Sequence, residues 1–345
     1  MDFAETLLSW YDTHKRDLPW RETKDAYRIW ISEIILQQTR VEQGWDYYLR
    51  FIDRFPDAKS LAQADEDEVL RLWQGLGYYS RARNLHTAAK TVAKQGSFPT
   101  TYEEVRALKG VGDYTAAAIC SIAYNMPVAV LDGNVFRVLA RYFHVELPIN
   151  STRGRKYFAK LAQELLPEAQ AGTYNQAIMD FGALQCVPAR PNCEQCPLRD
   201  SCSAFHQGDV SHFPVKERRL TVKDRYMVYV FLHQNGKTLM HQRIGSDIWR
   251  GLYEPLLIEF EQKPTDSDIL THSVLQSIDT SLVLRERVGK LKHKLTHRTL
   301  YIRAFDAEVS QHANIPSGYQ WVDAREMSQL PLPRAIELLL EKSMP

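Results

Sequence analysis

The sequence lacks any long hydrophobic run and contains little cysteine, and both absences exclude whole classes of protein. Of its 345 residues, 44% are hydrophobic and 25% are charged, as is usual for a globular protein. No run approaches the roughly 18 apolar residues of a membrane-spanning helix, which excludes an integral membrane protein. The first residues also lack the basic start and apolar core of a secretory signal. We therefore expect an intracellular protein.

Five cysteines in so long a chain are too few, and an odd number, for a disulfide framework. Four of them lie within 17 residues with the spacing C-x6-C-x2-C-x5-C, namely Cys186, Cys193, Cys196 and Cys202. Four thiolates so close in sequence can bind one metal centre. Zinc sites usually combine two short C-x2-4-C motifs, and only one is present here, so the spacing favours a [4Fe-4S] cluster. Zinc and four unrelated buried thiols remain alternatives, and Cys120 is expected to be a core thiol.

Acidic residues are missing from two stretches, although the net charge is only +1. None lies between Glu68 and Glu103, and Glu146 alone interrupts the stretch from Gly133 to Gln163. The basic residues there are Arg71, Arg81, Arg83, Lys90 and Lys94 in the first stretch and Arg137, Arg141, Arg153, Arg155, Lys156 and Lys160 in the second. Such stretches indicate local patches for a polyanion, with solvated helix faces as the alternative.

The hydrophobic periodicity divides the chain into two parts. Residues 1–205 repeat apolar positions at helical spacing, residues 206–224 form a basic connector, and residues 225–345 change to the period of strands. An Asn235-Gly236 turn predicts a hairpin of strands 226–232 and 237–242. Further strands are predicted at 252–260, 283–290 and 299–305, with helical pieces at 265–278 and 333–342. The prediction is an all-α domain, a linker, and a smaller α+β domain.

Residues 101–123 have the pattern of a helix-hairpin-helix. Thr101 and Glu104 can form a capping box for a helix that ends at Leu108, and a second helix is expected at 114–123. The turn between them contains Gly110 and Gly112, which leave backbone N–H groups uncovered at a helix N-terminus. This is a suitable place for one DNA phosphate. An ordinary turn between two helices is the alternative.

Two carboxyl groups have chemically unusual settings. Glu33 lies on the apolar stripe of a predicted helix, with Ile29, Trp30 and Leu36 on the same face. A carboxyl group there is either paired or has a raised pKa, as a general acid near neutral pH requires. Asp132 precedes a helix and is a predicted N-cap, which does not exclude chemistry. One protonated and one ionised carboxyl group form the couple that cleaves a glycosidic bond, although a buried structural pair would also explain Glu33.

Together these segments resemble the MutY family of adenine DNA glycosylases, within the endonuclease III superfamily. The resemblance covers the whole chain. It includes the cysteine loop and the segments Leu18-Pro19-Trp20, Ser32-Glu33-Ile34-Ile35-Leu36-Gln37-Gln38-Thr39, Gly75-Leu76-Gly77-Tyr78-Tyr79-Ser80-Arg81-Ala82-Arg83-Asn84-Leu85 and Leu131-Asp132-Gly133-Asn134-Val135.

The resemblance implies a role for each matched residue. Glu33 protonates adenine, Asp132 stabilises the oxocarbenium-like sugar, and Tyr114 and Asn134 support these two carboxyl groups. The cofactor is a [4Fe-4S] cluster on the four cysteines of the loop. The residues that contact DNA or the lesion are Gln38, Thr39, Leu76, Tyr78, Arg81, Gly110, Gly112, Thr296 and His297. Core packing is the alternative for Leu76 and Tyr78, and a polar strand end is the alternative for Thr296 and His297.

The family pattern also bears on the type of reaction. Lyase-competent endonuclease III enzymes place a catalytic lysine where this chain has Tyr114, so the resemblance implies a monofunctional glycosylase. The C-terminal part resembles a Nudix domain without the metal-binding REx2E helix, which makes nucleotide hydrolysis improbable and favours lesion recognition. The family's Phe-Ser-His loop reads Leu295-Thr296-His297 here.

The expected substrate is adenine opposite 8-oxoguanine or guanine in double-stranded DNA, removed by a cytoplasmic, nucleoid-associated monomer of bacterial type. Two other functions remain open. One is an endonuclease III-type glycosylase and lyase for oxidised pyrimidines, which Tyr114 opposes. The other is a non-catalytic DNA-damage binding protein with a redox role for the cluster, which the presence of both Glu33 and Asp132 opposes.

Overall fold

A computed structural model describes residues 2–37, 39–217, 222–295 and 297–341, and its contacts divide the chain into two compact units. The first unit comprises Met1–Gln63 with Asn84–Arg218, and the second comprises Ala64–Arg83 with Arg219–Pro345. The second unit thus combines a short early segment with the C-terminal part. The domain limits inferred from periodicity stay a prediction.

The first part of the chain is helical, which confirms the sequence prediction. Its α-helices are α1 Phe3–His14, α2 Ala26–Ile35, α3 Val41–Arg54, α4 Ala58–Gln63, α5 Glu66–Leu72, α6 Ser80–Gln95, α7 Tyr102–Ala107, α8 Asp113–Tyr124, α9 Gly133–Tyr142, α10 Thr152–Glu164, α11 Ala171–Leu184 and α12 Ser203–His206. Short 3-10 helices lie at Pro19–Arg21, Glu168–Gln170, Arg199–Ser201 and Val210–His212. Helix α2 is buried along almost its whole length, because it packs on α3 and α8, while α11 packs on α1, α8 and α9.

The helix-hairpin-helix forms as predicted, with a difference at its first cap. The Glu104 N–H donates to the Thr101 hydroxyl oxygen at 3.3 Å, but the Glu104 carboxylate accepts from that hydroxyl at 2.8 Å instead of capping the backbone. Gly110 has a φ of +82°, and a Cβ there would lie 2.7 Å from the Asn84 Cβ. Gly112 has a φ of −96° and open space around it. Only Gly110 therefore requires glycine for its conformation.

A buried aspartate joins the start of the chain to α11. Asp180 is completely buried, and its Oδ1 accepts from the Arg16 Nε at 3.0 Å and from the Arg21 Nη2 at 2.7 Å. Burial alone would raise the pKa of Asp180, but the hydrogen bonds and charges of the two arginines outweigh it and lower the pKa. The loop that leads into α2 is thus fixed by a paired buried charge.

The second unit is built on a mixed seven-stranded sheet. Its strands are β1 Lys223–Gln234, β2 Lys237–Gln242, β3 Tyr253–Glu254, β4 Leu256–Phe260, β5 Arg285–Lys294, β6 Arg298–Glu308 and β7 Tyr319–Val322. The order is β3-β2-β1-β6-β5, with β4 paired to β1 and β7 paired to β2. Strands β1 and β6 are parallel, and the other pairs are antiparallel.

Both faces of this sheet are covered by short helices. These are α13 Asp266–Leu270, α14 Ser273–Ile278, α15 Ala324–Met327 and α16 Arg334–Glu341. On β1, Met227, Tyr229 and Phe231 belong to the core that includes α16, while the alternate residues face α13 and α14. This two-sided burial explains why β1 is a nearly continuous apolar run.

The Asn235-Gly236 hairpin is confirmed, with φ of 50° and 74° at its two turn residues. The single helix expected at 265–278 is wrong, because His272 caps a separate second helix. The strand expected at 252–260 is interrupted at Pro255, which has no N–H to donate. Strand β7 was not predicted. Among the described residues, no helix combines the length and apolar character needed to cross a membrane.

We predict that Asp180→Asn lowers the free energy of unfolding by about 3 kcal/mol, because it leaves two guanidinium groups without their buried counter-charge. Urea denaturation followed by tryptophan fluorescence measures the change. Because the pKa of Asp180 is lowered in the folded protein, the stabilisation should disappear as pH falls below about 4. The exposed Asp12→Asn is the control. An Asp180→Asn variant as stable as this control would contradict the assignment.

Candidate active site

A cavity of about 530 Å³ opens between helices of the first unit. Four residues predicted to be catalytic line it, namely Glu33, Tyr114, Asp132 and Asn134, and Thr39 lines it as well. Glu33 comes from α2, Tyr114 from the first turn of α8, and the other two from the start of α9. The fold therefore brings together residues that lie about a hundred positions apart in the sequence.

Glu33 is 9% exposed and is surrounded by the apolar side chains of its own helix. The Tyr114 hydroxyl donates to its Oε2 at 2.7 Å. Burial raises the pKa of Glu33 to about 7; the hydrogen bond from Tyr114 and the charge of Arg21 lower it, while Asp132 raises it. Glu33 is therefore poised to exchange a proton near neutral pH.

Asp132 is the N-cap of α9, as the sequence predicts. Its Oδ1 accepts from the backbone N–H groups of Asn134 and Val135 at 2.9 and 2.8 Å, and its Oδ2 accepts from the Asn134 side-chain amide at 2.8 Å. Burial raises the pKa of Asp132, and these three donors act against that rise because they stabilise the charged form. The two carboxyl groups of the cavity thus have different surroundings. Asp132 accepts three hydrogen bonds, two of them from the backbone at a helix N-terminus, whereas Glu33 lies in an apolar environment.

The Tyr114 hydroxyl also contacts the Met179 Sδ at 3.4 Å. Burial, followed by the nearby negative charge of Glu33, raises the pKa of Tyr114 well above its ordinary value. The hydroxyl therefore stays protonated and acts as a hydrogen-bond donor. The described residues that line the cavity include no lysine.

Arg137 and Arg141 are buried and connect α9 to the cysteine loop, which the sequence analysis did not anticipate. The Arg137 Nη2 donates to the Asn134 Oδ1 at 2.8 Å, and its Nε donates to the Cys186 carbonyl at 2.7 Å. The Arg141 Nη1 donates to the Cys186 Sγ at 3.3 Å. The prediction that these two arginines belong to a basic surface patch is therefore wrong. The exposed basic residues of that stretch are Arg153, Arg155, Lys156 and Lys160.

The four cysteines of the loop line one small cavity together with Arg141. All four are free thiols. The Leu198 N–H points at the Cys196 sulfur, and the N–H groups of Ala204 and Phe205 point at the Cys202 sulfur. Within the described ranges, no group of three or more His, Cys, Asp or Glu side chains could hold a single metal ion. Cys120 is buried in α8, which confirms the prediction of a core thiol.

Leu76 and Tyr78 lie on a tight turn of the second unit, between α5 and α6. Gly75, Gly77 and Tyr78 all have positive φ, at 94°, 71° and 48°. Tyr78 is 45% exposed whereas Leu76 is 9% exposed, so Leu76 is a core residue and Tyr78 is presented to the surface. The Arg81 guanidinium lies 5.3 Å from the centre of the Tyr78 ring and braces it.

This turn is held by the C-terminal part of the same unit. The Tyr79 hydroxyl donates to the Leu332 carbonyl at 3.3 Å, and the Gln242 amide donates to the Asp67 carboxylate at 3.1 Å. His297 is exposed at the start of β6, where its carbonyl accepts from the Lys223 N–H at 3.2 Å. Two further predicted residues, Gln38 and Thr296, lie outside the described residues.

Comparisons with known proteins agree with this organisation. Residues 31–168 match the HhH-GPD superfamily of base excision DNA repair proteins, and residues 227–342 match the NUDIX domain. The chain is 36% identical to the adenine DNA glycosylase of Buchnera aphidicola subsp. Baizongia pistaciae, over 87% of this chain and 84% of that protein. It is 32% identical to the Mus musculus adenine DNA glycosylase, over 94% of this chain and 74% of that protein.

Among solved structures, a thermostable thymine-DNA glycosylase matches with a TM-score of 0.56 and 31% identity, over 59% of this chain and 95% of that one. Endonuclease III in a non-covalent complex with DNA matches with a TM-score of 0.52 and 18% identity, over 59% of this chain and 94% of that one. At that identity the second similarity shows the helical fold alone.

We predict that Glu33→Gln stabilises the protein in a pH-dependent way. The unfolded carboxyl ionises near its ordinary pKa of 4.5, whereas the folded one stays protonated until about pH 7. Stability is therefore full below the unfolded pKa and is lost as pH rises through the folded pKa, and glutamine removes this loss. The expected gain is up to about 3 kcal/mol near pH ~8 and close to none near pH ~4.

Denaturation of the variant and the wild type at both pH values measures this gain, with the exposed Glu22→Gln as control. A gain of equal size at the two pH values would mean that glutamine merely packs better than glutamate.

Proposed function

The chain belongs to the family of adenine DNA glycosylases, and from that membership we propose that it hydrolyses the N-glycosidic bond of adenine mispaired with 8-oxoguanine or guanine. The substrate is double-stranded DNA, and the adenine is extruded from the helix before it reacts. The observation that carries this proposal is the cavity in which a buried, protonatable Glu33 accepts a hydrogen bond from Tyr114 and is accompanied by Asp132.

The two carboxyl groups divide the chemistry between them. Protonated Glu33 donates its proton to a ring nitrogen of adenine, so that the base leaves as a neutral molecule when the C1′–N bond breaks. The anionic Asp132 stabilises the positive charge that develops on the sugar. Water then adds to C1′ and gives up a proton, which returns Glu33 to its acid form. A pKa of about 7 lets Glu33 carry out both transfers.

The product is an abasic site in an intact strand. Strand cleavage by a lyase requires an amine that forms a Schiff base with the sugar. Tyr114 occupies the position where lyases of the superfamily carry that amine. The described lining of the cavity contains no lysine, which supports a monofunctional enzyme.

We assign a [4Fe-4S] cluster to Cys186, Cys193, Cys196 and Cys202. Their free thiols line one cavity, and N–H groups directed at two of the sulfurs would stabilise thiolates. The spacing of these cysteines, with a single short C-x2-C motif, favours the cluster over zinc. When bound, the cluster would supply a rigid redox-active crosslink of the loop, which Arg141 and Arg137 tie to α9, where Arg137 also bonds Asn134.

DNA contacts are assigned to two exposed features of the chain. Gly110 and Gly112 leave backbone N–H groups open to a phosphate, and Tyr78 presents an aromatic ring that can enter the base stack. Gln38 and Thr39 would contact the mispair, and Thr296 and His297 would read the base opposite adenine, following the resemblance. The Nudix-like unit then acts in lesion recognition.

Single-turnover assays test this proposal. End-labelled duplexes carry 8-oxoguanine:A, G:A or thymine glycol:A, and each sample is divided and analysed with and without alkali. We expect the adenine strand to break only after alkali, faster opposite 8-oxoguanine, with a rate that falls as pH rises through about 7. Glu33→Gln should lose at least about 100-fold in rate while it still binds the duplex.

Nicking of the thymine glycol strand without alkali would replace this proposal by the lyase function. A Glu33→Gln variant that binds and acts like the wild type would instead favour a non-catalytic binding protein.

We also predict that Tyr78→Ala weakens binding to the mispaired duplex about tenfold, since stacking of one base on an aromatic ring contributes about 1–3 kcal/mol. Fluorescence anisotropy with a labelled G:A duplex measures the affinity. Leu49→Ala is the matched control because Leu49 is 46% exposed, against 45% for Tyr78. Equal affinity of the two variants would show that Tyr78 does not enter the duplex.

A further inference from the structure

A second cavity, of about 330 Å³, lies on the sheet of the second unit and has no part in the proposed reaction. Strands β1, β5 and β6 and the segment that leads into α13 form its walls. Its lining residues are Tyr226, Met227, Val228, Lys263–Asp266, Lys290–Lys292 and Tyr301–Arg303. The volume is at the lower end of the range for sites that bind small organic ligands.

Two aromatic rings form one wall of this cavity. Tyr226 of β1 and Tyr301 of β6 are direct partners in the parallel register. Their rings are stacked, with centroids 5.3 Å apart and an interplanar angle of 17°. Both side chains are only partly buried. Aromatic rings on neighbouring strands of a sheet are the arrangement on which proteins stack unpaired nucleic-acid bases.

Positive charge surrounds the rings. Lys263, Lys290 and Lys292 are exposed at the cavity, and the Lys292 Nζ lies 5.2 Å from the centre of the Tyr301 ring. In the described part of the chain, none of the three forms a salt bridge with a carboxylate. The single acidic lining residue, Asp266, is already paired with Arg303. The cavity therefore carries an uncompensated charge of about three lysines, which suits a phosphate.

An irregularity in β5 adds to this arrangement. The pairing of β5 with β6 slips between Glu286 and Leu291, next to Lys290. Such bulges turn side chains away from the regular alternation of a strand and are common beside binding sites. Here Lys290 and Lys292 both line the cavity.

We propose that this cavity is a binding site for a single nucleotide, whose base stacks on the tyrosine pair while its phosphate is held by the lysines. A purely apolar ligand would leave the three lysines without a function, and a simple anion would leave the stacked rings without one. The required chemistry, a planar base joined to a phosphate, is present both in free nucleotides and in unpaired nucleotides of a DNA strand. The site goes beyond the proposed reaction and requires no residue of the active site.

Binding of two fluorescent probes to the full-length protein tests this site. One is the deoxyribonucleoside monophosphate of 2-aminopurine, and the other is a short single strand that contains one 2-aminopurine. We expect Tyr301→Leu and Lys292→Gln each to weaken binding at least about fivefold, because each loses a stacking or a charge contact. Tyr301→Phe keeps the stack and should bind like the wild type. Lys237→Gln, an exposed lysine of β2, is the control.

If both probes bind and the variants weaken that binding, the site is established for free nucleotides. If only the strand binds and the variants weaken that binding, the site is established for DNA. If neither probe binds, or if Tyr301→Leu and Lys292→Gln both bind like Lys237→Gln, the proposal is wrong. Lys292 is exposed, so its variant remains informative even if Tyr301→Leu folds poorly.

Adenine excision by the same variants separates this site from the proposed function. We expect Tyr301→Leu and Lys292→Gln to keep the wild-type rate at saturating DNA, because neither residue lines the active-site cavity. Loss of probe binding with unchanged excision supports the site alone. If the wild type releases no adenine, the proposed function fails, whereas the nucleotide site is still decided by the probes.

Discussion

The burial of one carboxyl group is the constraint around which the helical unit is organised. Glu33 can act as an acid near neutral pH only because α2 holds it among apolar side chains, and those side chains belong to the core of the unit. A residue kept in this state works against stability whenever it ionises. Asp180 is the contrasting case in the same unit, a buried carboxylate that is paired with Arg16 and Arg21.

The second carboxyl group is controlled by different means. Asp132 lies among backbone and amide donors that stabilise its charged form, and α9 places Arg137 one turn further along, where it holds the Asn134 side chain. The same helix positions Arg141, whose guanidinium donates to the sulfur of Cys186. One short helix therefore connects the position of a carboxylate with the conformation of the cysteine loop. Arg137 is the direct link, because it bonds both the Cys186 carbonyl and the Asn134 side chain, which in turn donates to Asp132.

The sequence was informative where chemistry depends on local patterns. The apolar stripe around Glu33, the cap at Asp132, the glycines of the helix hairpin and the Asn235-Gly236 turn are all visible within a few residues of one another. Sequence patterns failed where burial depends on distant partners. Arg137 and Arg141 look like surface charges until the loop at Cys186 folds over them. Leu76 and Tyr78 look equivalent, yet the positive φ angles of the turn bury one and expose the other.

The early segment Ala64–Arg83 belongs to the unit that the C-terminal part completes. During synthesis this segment leaves the ribosome long before its partners, because Asp67 is bonded to Gln242 and Tyr79 to Leu332. The turn that carries Tyr78 can make its contact with Leu332 only after that residue has been synthesised. A chain that stops before Leu332 would therefore contain Glu33, Tyr114 and Asp132 of the candidate site, but the turn that carries Tyr78 would lack this contact.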